Sequence, residues 1–540
     1  MEKDSGLRKI IVSALFALLS AAQSSPTLAQ SGTLPWTGTW SAAPAVTSDS
    51  GFNNQTIRQI VHTSIGGTAA RLRFSNLFGS QPVTLGDVHM ARRTSGARTD
   101  AKTDRAVTFN GQAYVTIPAG GSVLSDTVAF AVPMLADVAV SFHVPSRTPP
   151  NSTGHLAGLQ DVYVAPGDVS ADSSFKGGVV NGTGAQSYYF LTNLDVINAG
   201  ATGAVVAFGA SITDGLASTA NTNRRWPNRL AERLVRAGMN VGVLNQGISG
   251  NNFFWDSDTS GPAGLDRFNR DVLQQANVKW VVISDDAVNN LLSGSPPSLQ
   301  SLIGAYQELV SRAHSAKVKV ICSTLTPFEG VSGWTPDIEG TRQTLNAFLR
   351  GSSSGCDGVL DQAAVLGDPG VPADAGGAQV AASVRASAAA YAPNFNSGDH
   401  LHPNDAGLQA VADAADLNAF AALPAVRAPS ACGHLAPGEG MSTGQTLASC
   451  DGRVALTLGN DGYLVIVRGG AKIWSSKVSG TPGVEVRMQE NGMLIMFDAN
   501  GVKVWETVTP NHPGAYAYMQ NDGSLVIYSA NGTALWSSAG

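Results

Sequence analysis

Two short stretches, far apart in the chain, hold the residue types needed for nucleophilic hydrolysis. Ser211 stands just past the apolar run Val205-Val206-Ala207-Phe208 and Gly209, and Asp399-His400-Leu401-His402 lies well downstream. A serine hydroxyl is a poor nucleophile until a base takes its proton, and an imidazole serves best as that base when a carboxylate holds its tautomer. An aspartate three residues before a histidine, on a tight loop, reaches the Nδ1 side of the ring and leaves Nε2 for the serine. The developing oxyanion also needs donors set around it. The Ser211 N–H, the Gly250 N–H in Asn245-Gln246-Gly247-Ile248-Ser249-Gly250-Asn251, and the Asn289 side-chain amide are the candidates. His400 and His402 with Asp399 also form the H-x-H pairing that suits zinc, but no third His or Cys cluster accompanies them. Asp214 and Asp405 read as helix-capping or solvated carboxylates.

These residues need a scaffold that brings three loops to one edge. The run before Ser211 reads as a buried parallel strand, and strand–helix–strand alternation continues through Val241–Leu244, Trp280–Ile283, a helix over Leu299–Ser315, and Val318–Ile321. This pattern predicts a doubly wound α/β domain over 200–423, with the loops of Ser211, Gly250 and Asn289 leaving the carboxyl ends of parallel strands. Before it, residues 36–195 alternate apolar and polar with Gly, Pro and Asn breaks, as in Leu72/Phe74 and Val138/Val140/Phe142/Val144, which predicts a β-sandwich. After a Pro/Ala-rich linker over 424–433, residues 434–540 are repetitive. Trp474, Trp505 and Trp536 recur at equal spacing, and Asp461-Gly462, Asn491-Gly492 and Asp522-Gly523 recur in phase, implying three-fold β architecture with the tryptophans in its core. A chain of 540 residues has room for three such domains.

Composition narrows the function classes. A net charge of −6 gives no basic footprint for nucleic acid. Lys3, Arg8 and Lys9 precede a short apolar stretch, and Thr27-Leu28-Ala29 supplies small residues for cleavage, so 1–29 reads as a signal peptide and the protein as secreted, extracellular or periplasmic. No later segment approaches the roughly 18 uninterrupted apolar residues of an integral membrane helix. The four cysteines lack C-x-x-C spacing, and in an oxidising compartment they read as two local disulfides, Cys322 with Cys356 and Cys432 with Cys450; free buried thiols are the alternative.

With these residues in place, the 200–423 region resembles the SGNH (GDSL-type) hydrolases. Ser211, Gly250, Asn289 and the pair Asp399/His402 match the family's four blocks in order. The resemblance implies hydrolysis of carboxylic esters, whether short-chain, lipid or acylated glycan, through a Ser211 acyl-enzyme with no metal or cofactor. It implies an oxyanion hole made of Ser211, Gly250 and Asn289. Two positions depart from the pattern. Ala210 stands where the family has aspartate before the serine, and Asn290 where it has aspartate after the asparagine. Such carboxylates hold loops by hydrogen bonding, and Asp285 and Asp286 are near enough in sequence to substitute in part. If Ala210 and Asn290 attenuate the site, restoring aspartate at both should raise turnover. The alternative function is a weakened or inactive SGNH scaffold acting as a secreted glycan-binding protein.

The 434–540 region resembles the bulb-type mannose-binding lectins, a three-fold β-prism family whose repeats bind sugar through Gln-x-Asp-x-Asn-x-Val-x-Tyr. The best copy here is Gln520, Asp522, Ser524, Val526 and Tyr528, with serine at the asparagine position. Gln520, Asp522, Ser524 and Tyr528 are therefore the candidate sugar-binding residues. The second copy reads Gln489, Asn491, Met493, Ile495 and Phe497, and the first starts at Gly459. Trp36-Thr37-Gly38-Thr39-Trp40-Ser41 and Asn221–Pro227 are similar to strings in secreted bacterial esterases of the GDSL type that carry a β-sandwich ahead of the catalytic domain.

Overall fold

The computed structural model describes residues 36–179, 186–368, 388–420, 428–476, 482–498, 501 and 503–539. The leader assigned to 1–29 and the first residues of the 424–433 linker lie outside them.

The amino-terminal region is built from antiparallel sheets that share one core. A four-stranded sheet runs in the order Trp36–Ser41, Leu191–Ile197, Ala69–Ser75, Ser122–Leu124. A larger sheet is centred on Gln55–His62, Asp137–Val144 and Val83–Ser95. Leu72 and Phe74 from the first meet Val138, Val140 and Phe142 from the second in a single buried cluster. Period-two alternation puts these residues inward. The opposite face of Asp137–Val144 is buried as well, because Ala139 packs with Ile60, Tyr163, Ala165 and Phe175 in a smaller cluster. Arg58 lies buried on this same face, over the Phe175 ring, donating to Ser141 Oγ, Ala97 O and Ser170 O.

A five-stranded, all-parallel sheet follows, in the order Val241–Gly247, Gly203–Gly209, Val278–Ile283, Lys319–Ser323, Gly358–Leu360. Its strands are continuous apolar runs because both faces are covered. Ala204, Val206 and Phe208 face one layer, with Leu302, Leu309, Leu345 and Leu349 from helices Leu299–Ser315 and Pro336–Arg350. Val205 and Ala207 face the other, with Trp226, Leu230, Leu408 and Val411 from helices Trp226–Arg236 and Asp405–Ala414. The strand that precedes Ser211 is flanked by Val241–Gly247 and Val278–Ile283, so the winding direction reverses at its carboxyl end, the position where open α/β sheets take their ligands. The Cys322–Cys356 disulfide joins the last two strands' surroundings across a sequence separation of 34. A cross-link of that span restricts the unfolded chain by about 3–4 kcal/mol.

The sandwich lies against the open edge of this sheet. Gly38 approaches so closely that a Cβ on Gly242 would sit 2.0 Å from its carbonyl oxygen. Ser64 Oγ accepts from Val243 N at 2.9 Å, and Ser41 Oγ donates to Asn245 O at 3.1 Å. The edge strand is thus capped by side chains of the neighbouring region instead of another strand.

From His434 onward the chain forms three four-stranded antiparallel sheets. Their inner residues, among them Leu456, Ile466, Met488, Met496, Met519 and Ile527, make one core. Trp474, Trp505 and Trp536 meet edge to face with ring centroids 6.0–6.2 Å apart. His434–Leu435 pairs with Tyr516–Met519, so the start of this region completes the sheet at its end. Cys432–Cys450 fastens that closure.

Candidate active site

The nucleophile turn is specified by crowding. A Cβ on Gly209 would lie 2.3 Å from Asp285 Oδ1 and 2.5 Å from Thr213 Oγ1, so only glycine ends that strand. Ser211 opens the short helix Ser211–Asp214, whose cap residue Ala210 makes no side-chain capping bond. The Ser211 hydroxyl is instead committed to His402, with Oγ 2.9 Å from Nε2. The turn is held from the next strand: Asp285 accepts from Ala210 N at 3.0 Å, Ile212 N at 2.7 Å and Thr213 Oγ1 at 2.6 Å. The carboxylate absent at position 210 is therefore supplied by Asp285.

His402 is set by its own loop. Asp399 Oδ2 lies 2.6 Å from His402 Nδ1, while Oδ1 accepts from the N–H groups of Leu401 and His402, both at 2.9 Å. Nδ1 facing a carboxylate carries the proton, which leaves Nε2 as the acceptor toward Ser211. Partial burial disfavours charge on Asp399, but hydrogen bonds from His402 and Leu401 outweigh it and hold the carboxyl well below its usual range. Asn404 then caps the helix Asp405–Ala414 through Ala406 N and Gly407 N. Both ring nitrogens of His402 are engaged by the aspartate and the serine. His400 sits on the exposed turn with φ +66°.

The oxyanion loops show why the second family aspartate is replaced. Gly250 has φ +81°, and a Cβ there would meet Ser260 Oγ at 2.4 Å. Asn289 Nδ2 donates to Asn251 O at 2.8 Å, which fixes the amide beside that turn. Asn290 uses both ends of its amide: Oδ1 accepts from Phe253 N at 3.1 Å, and Nδ2 donates to Asn252 Oδ1 at 3.2 Å. A carboxylate has no donor for the second bond. Arg267 is a site residue that motif reading misses. It is 1% exposed and donates to Gly209 O, Gln246 O and Asn251 Oδ1, tying together the ends of three segments around the site. Asp286 lies within reach of it, 3.4 Å from Arg267 Nη2. Burial, with a further contribution from Asp285 and against the pull of Arg267, pushes Asp286 up to about 6. Nothing in the string Gly264-Leu-Asp-Arg-Phe distinguishes this arginine from a surface one.

Residues 207–410 match the family model for the GDSL-like Lipase/Acylhydrolase family. The chain carries a GDSL-type hydrolase domain. Among solved structures, a lipase/acylhydrolase from Enterococcus faecalis aligns with this chain at 18% identity, covering 39% of this chain and 93% of that one, with a TM-score of 0.29. A lectin from Marasmius oreades aligns at 30% identity over 20% of this chain and 92% of its own, with a TM-score of 0.19. The mannose-specific agglutinin of snowdrop (Galanthus nivalis) aligns at 27% identity over 19% and 93%, with a TM-score of 0.17. No curated protein matches the chain.

One carboxylate of the hydrolase domain is placed differently from the sequence reading. Asp214 is neither a cap nor solvated. It is 1% exposed and bonds His155 of the sandwich, because the strand Thr153–His155 runs directly behind the nucleophile helix. Asp405 opens its helix but is also held, accepting from Thr219 and Arg224. All four cysteines are disulfide-bonded. In the sandwich, side-chain ligand atoms of Asp87, His143 and Asp168 converge within 4.8 Å of one another, a grouping with no signature in the sequence. In the last repeat Gln520 Nε2 donates to the Tyr528 hydroxyl, and Asp522 Oδ1 accepts from Ser524 N at 2.8 Å.

Proposed function

We propose that this protein is a secreted serine hydrolase that cleaves carboxylic acyl esters at Ser211. The observation that carries the reading is the continuous hydrogen-bond line Asp399–His402–Ser211, at 2.6 and 2.9 Å. His402 Nε2 takes the Ser211 proton as Oγ attacks the ester carbonyl. The negative charge that forms on the carbonyl oxygen is met by the Ser211 N–H, the Gly250 N–H and the second N–H of the Asn289 amide, whose first holds Asn251 O. The alkoxide leaves with the proton from His402, and the acyl group stays on Ser211. Water then attacks with His402 again as base, releasing the acid and restoring the hydroxyl. Asp399 stays ionised throughout and supports the imidazolium. Export through a leader at 1–29 agrees with the two disulfides, which persist in oxidising compartments.

The deciding experiment is active-site labelling of the full chain with a fluorophosphonate, paired with turnover of p-nitrophenyl acetate. Labelling should map to Ser211, and Ser211→Ala should abolish it and lower turnover by about 10⁴-fold or more. Turnover that survives this substitution sinks the assignment.

The carboxy-terminal region supports a second, separable role as a sugar-binding module. The observation favouring it is the three-sheet arrangement around the tryptophan trio together with Gln520, Asp522 and Tyr528 clustered on the last repeat. Retention on immobilised mannose that Asp522→Ala removes would support it; no retention on mannose or on a glycan array would overturn it.

A further inference from the structure

The nucleophile helix ends on a charge that the hydrolase domain does not itself neutralise by contact. Asp214 is 1% exposed. Its Oδ2 accepts from the N–H and the hydroxyl of Ser249 at 3.0 and 2.7 Å, one residue before Gly250. Its Oδ1 lies 2.8 Å from His155 Nε2, which comes from the β-sandwich. The other ring nitrogen, Nδ1, lies 2.9 Å from Ala43 O. A backbone carbonyl can only accept, so Nδ1 donates there, and the ring is held with Nε2 facing the carboxylate. Full burial works against charge on Asp214, yet His155 first, then Arg225 and Ser249, hold its carboxyl below the usual range. The two side chains form a buried hydrogen-bonded pair.

A second contact runs alongside. Ile248, at the start of the same turn, packs with Ala43 and Ala45 of the sandwich in a separate buried cluster. A Cβ on Gly247 would lie 2.3 Å from Asp214 N, so the end of the second parallel strand presses directly on the nucleophile helix. The segment Gly247–Gly250 is thus gripped between Asp214 and the sandwich.

We propose that His155 is a positioning residue for the oxyanion hole: the β-sandwich, through His155 and Asp214, sets where the Gly250 N–H points. The proposal rests on the esterase reading and gives the sandwich a role in it. Without the His155 ring, Asp214 is a buried carboxylate that has lost its partner on Oδ1, and it relieves that cost by turning toward solvent or admitting water. Either movement takes Ser249 with it. A displacement of about 1 Å at a catalytic donor costs roughly 10²-fold, comparable to losing the donor.

The test uses the full chain carrying His155→Ala and His155→Gln, with unfolding midpoints measured alongside. For His155→Ala we expect kcat on p-nitrophenyl acetate to fall by about 10–100-fold with KM within about twofold. His155→Gln keeps a donor toward Asp214 and should recover part of the loss. The preference for an oxo ester over its thiono analogue should shrink in His155→Ala, since sulfur already uses the oxyanion donors poorly. A folded His155→Ala with unchanged kcat overturns the proposal. If that variant does not fold, Ser249→Ala decides, because it removes one Asp214 contact and leaves the His155–Asp214 bond intact. A kcat within twofold of wild type would then overturn the proposal, and a fall of about threefold or more would support it. Amide hydrogen exchange over 248–252 gives a readout independent of turnover: faster exchange in His155→Ala, partly restored in His155→Gln, supports the grip, and exchange in His155→Ala unchanged from wild type refutes it. Wild-type protein that neither labels nor turns over defeats the esterase reading alone, and the exchange measurement still decides the role of His155.

Discussion

The nucleophile turn and the last carboxy-terminal repeat both depart from their families' patterns, and they answer the departure in opposite ways. At the turn, Ala210 lacks a carboxylate, but Asp285 reaches in from the neighbouring strand and makes bonds to Ala210 N, Ile212 N and Thr213 Oγ1. At Asn290 the amide makes one bond that an aspartate would make and a second that it could not. In the last repeat, Ser524 has no substitute for the missing asparagine amide, and the remaining polar groups turn to each other: Gln520 bonds Tyr528, and Asp522 bonds the Ser524 backbone. A missing motif residue is therefore weighed by whether its hydrogen-bond positions are filled from elsewhere. By that measure the candidate active site keeps its supporting bonds and the candidate sugar site lacks one of them.

The comparison breaks most sharply at Asp285. Asp285→Ala removes three hydrogen bonds from the nucleophile turn and leaves two backbone N–H groups in a buried place without partners. We expect kcat to fall by about 10²–10³-fold, with fluorophosphonate labelling slowed in proportion. A loss below about threefold would mean the turn holds its shape without this carboxylate. The converse substitution sharpens the point. Ala210 is fully buried and its N–H already donates to Asp285, so Ala210→Asp forces a second carboxylate beside the first. Turnover should fall by about tenfold or more, where an attenuated site would have gained. Asn290→Asp should also lower it, by about tenfold, because Asn252 Oδ1 then faces an oxygen instead of a donor.

Much of this arrangement was legible in the chain because it is local or periodic. The buried strand before Ser211, the helix over Leu299–Ser315 and the short Asp399–His402 spacing are all read from neighbours in sequence. What sequence does not carry is the identity of partners that meet only after folding. Asp285 stands more than seventy residues from the turn it holds, and its aspartate neighbour Asp286 looks equivalent on paper, yet only Asp285 reaches that turn. Arg267 reads as a surface residue and is buried among carbonyl oxygens. Asp214 reads as a helix-end carboxylate, and its partner His155 comes from another region of the chain. Each of these is a polar residue buried by tertiary contact, which composition and periodicity leave invisible.

The Asp285/Asp286 pair makes a pH prediction. Asp286 is raised in the folded protein to about 6 from the ordinary 3.8, so the unfolded chain ionises first. A group raised on folding contributes stability that is complete below its unfolded value and lost as pH climbs through its folded one. The unfolding midpoint of wild type relative to Asp286→Asn should therefore drop between about pH 4 and pH 6 and stay level above that. A difference between the two proteins that does not change across this window would show that Arg267 keeps Asp286 ionised throughout.

The smallest expected effect tests the other half of the comparison, and it runs in the opposite direction from Ala210→Asp. Ser524→Asn restores the amide that the sugar-binding pattern lacks, at a partly exposed position whose backbone N–H is already satisfied by Asp522. No buried charge stands in its way, in contrast to position 210. One added hydrogen bond of about 1 kcal/mol corresponds to a roughly fivefold gain in affinity. Retention on immobilised mannose should rise by that factor while ester turnover stays unchanged. Unchanged retention would place the obstacle at the Gln520–Tyr528 bond, which a sugar hydroxyl must displace. Tyr528→Phe added to Ser524→Asn separates the two causes, since it frees the Gln520 amide without altering the backbone that Asp522 holds.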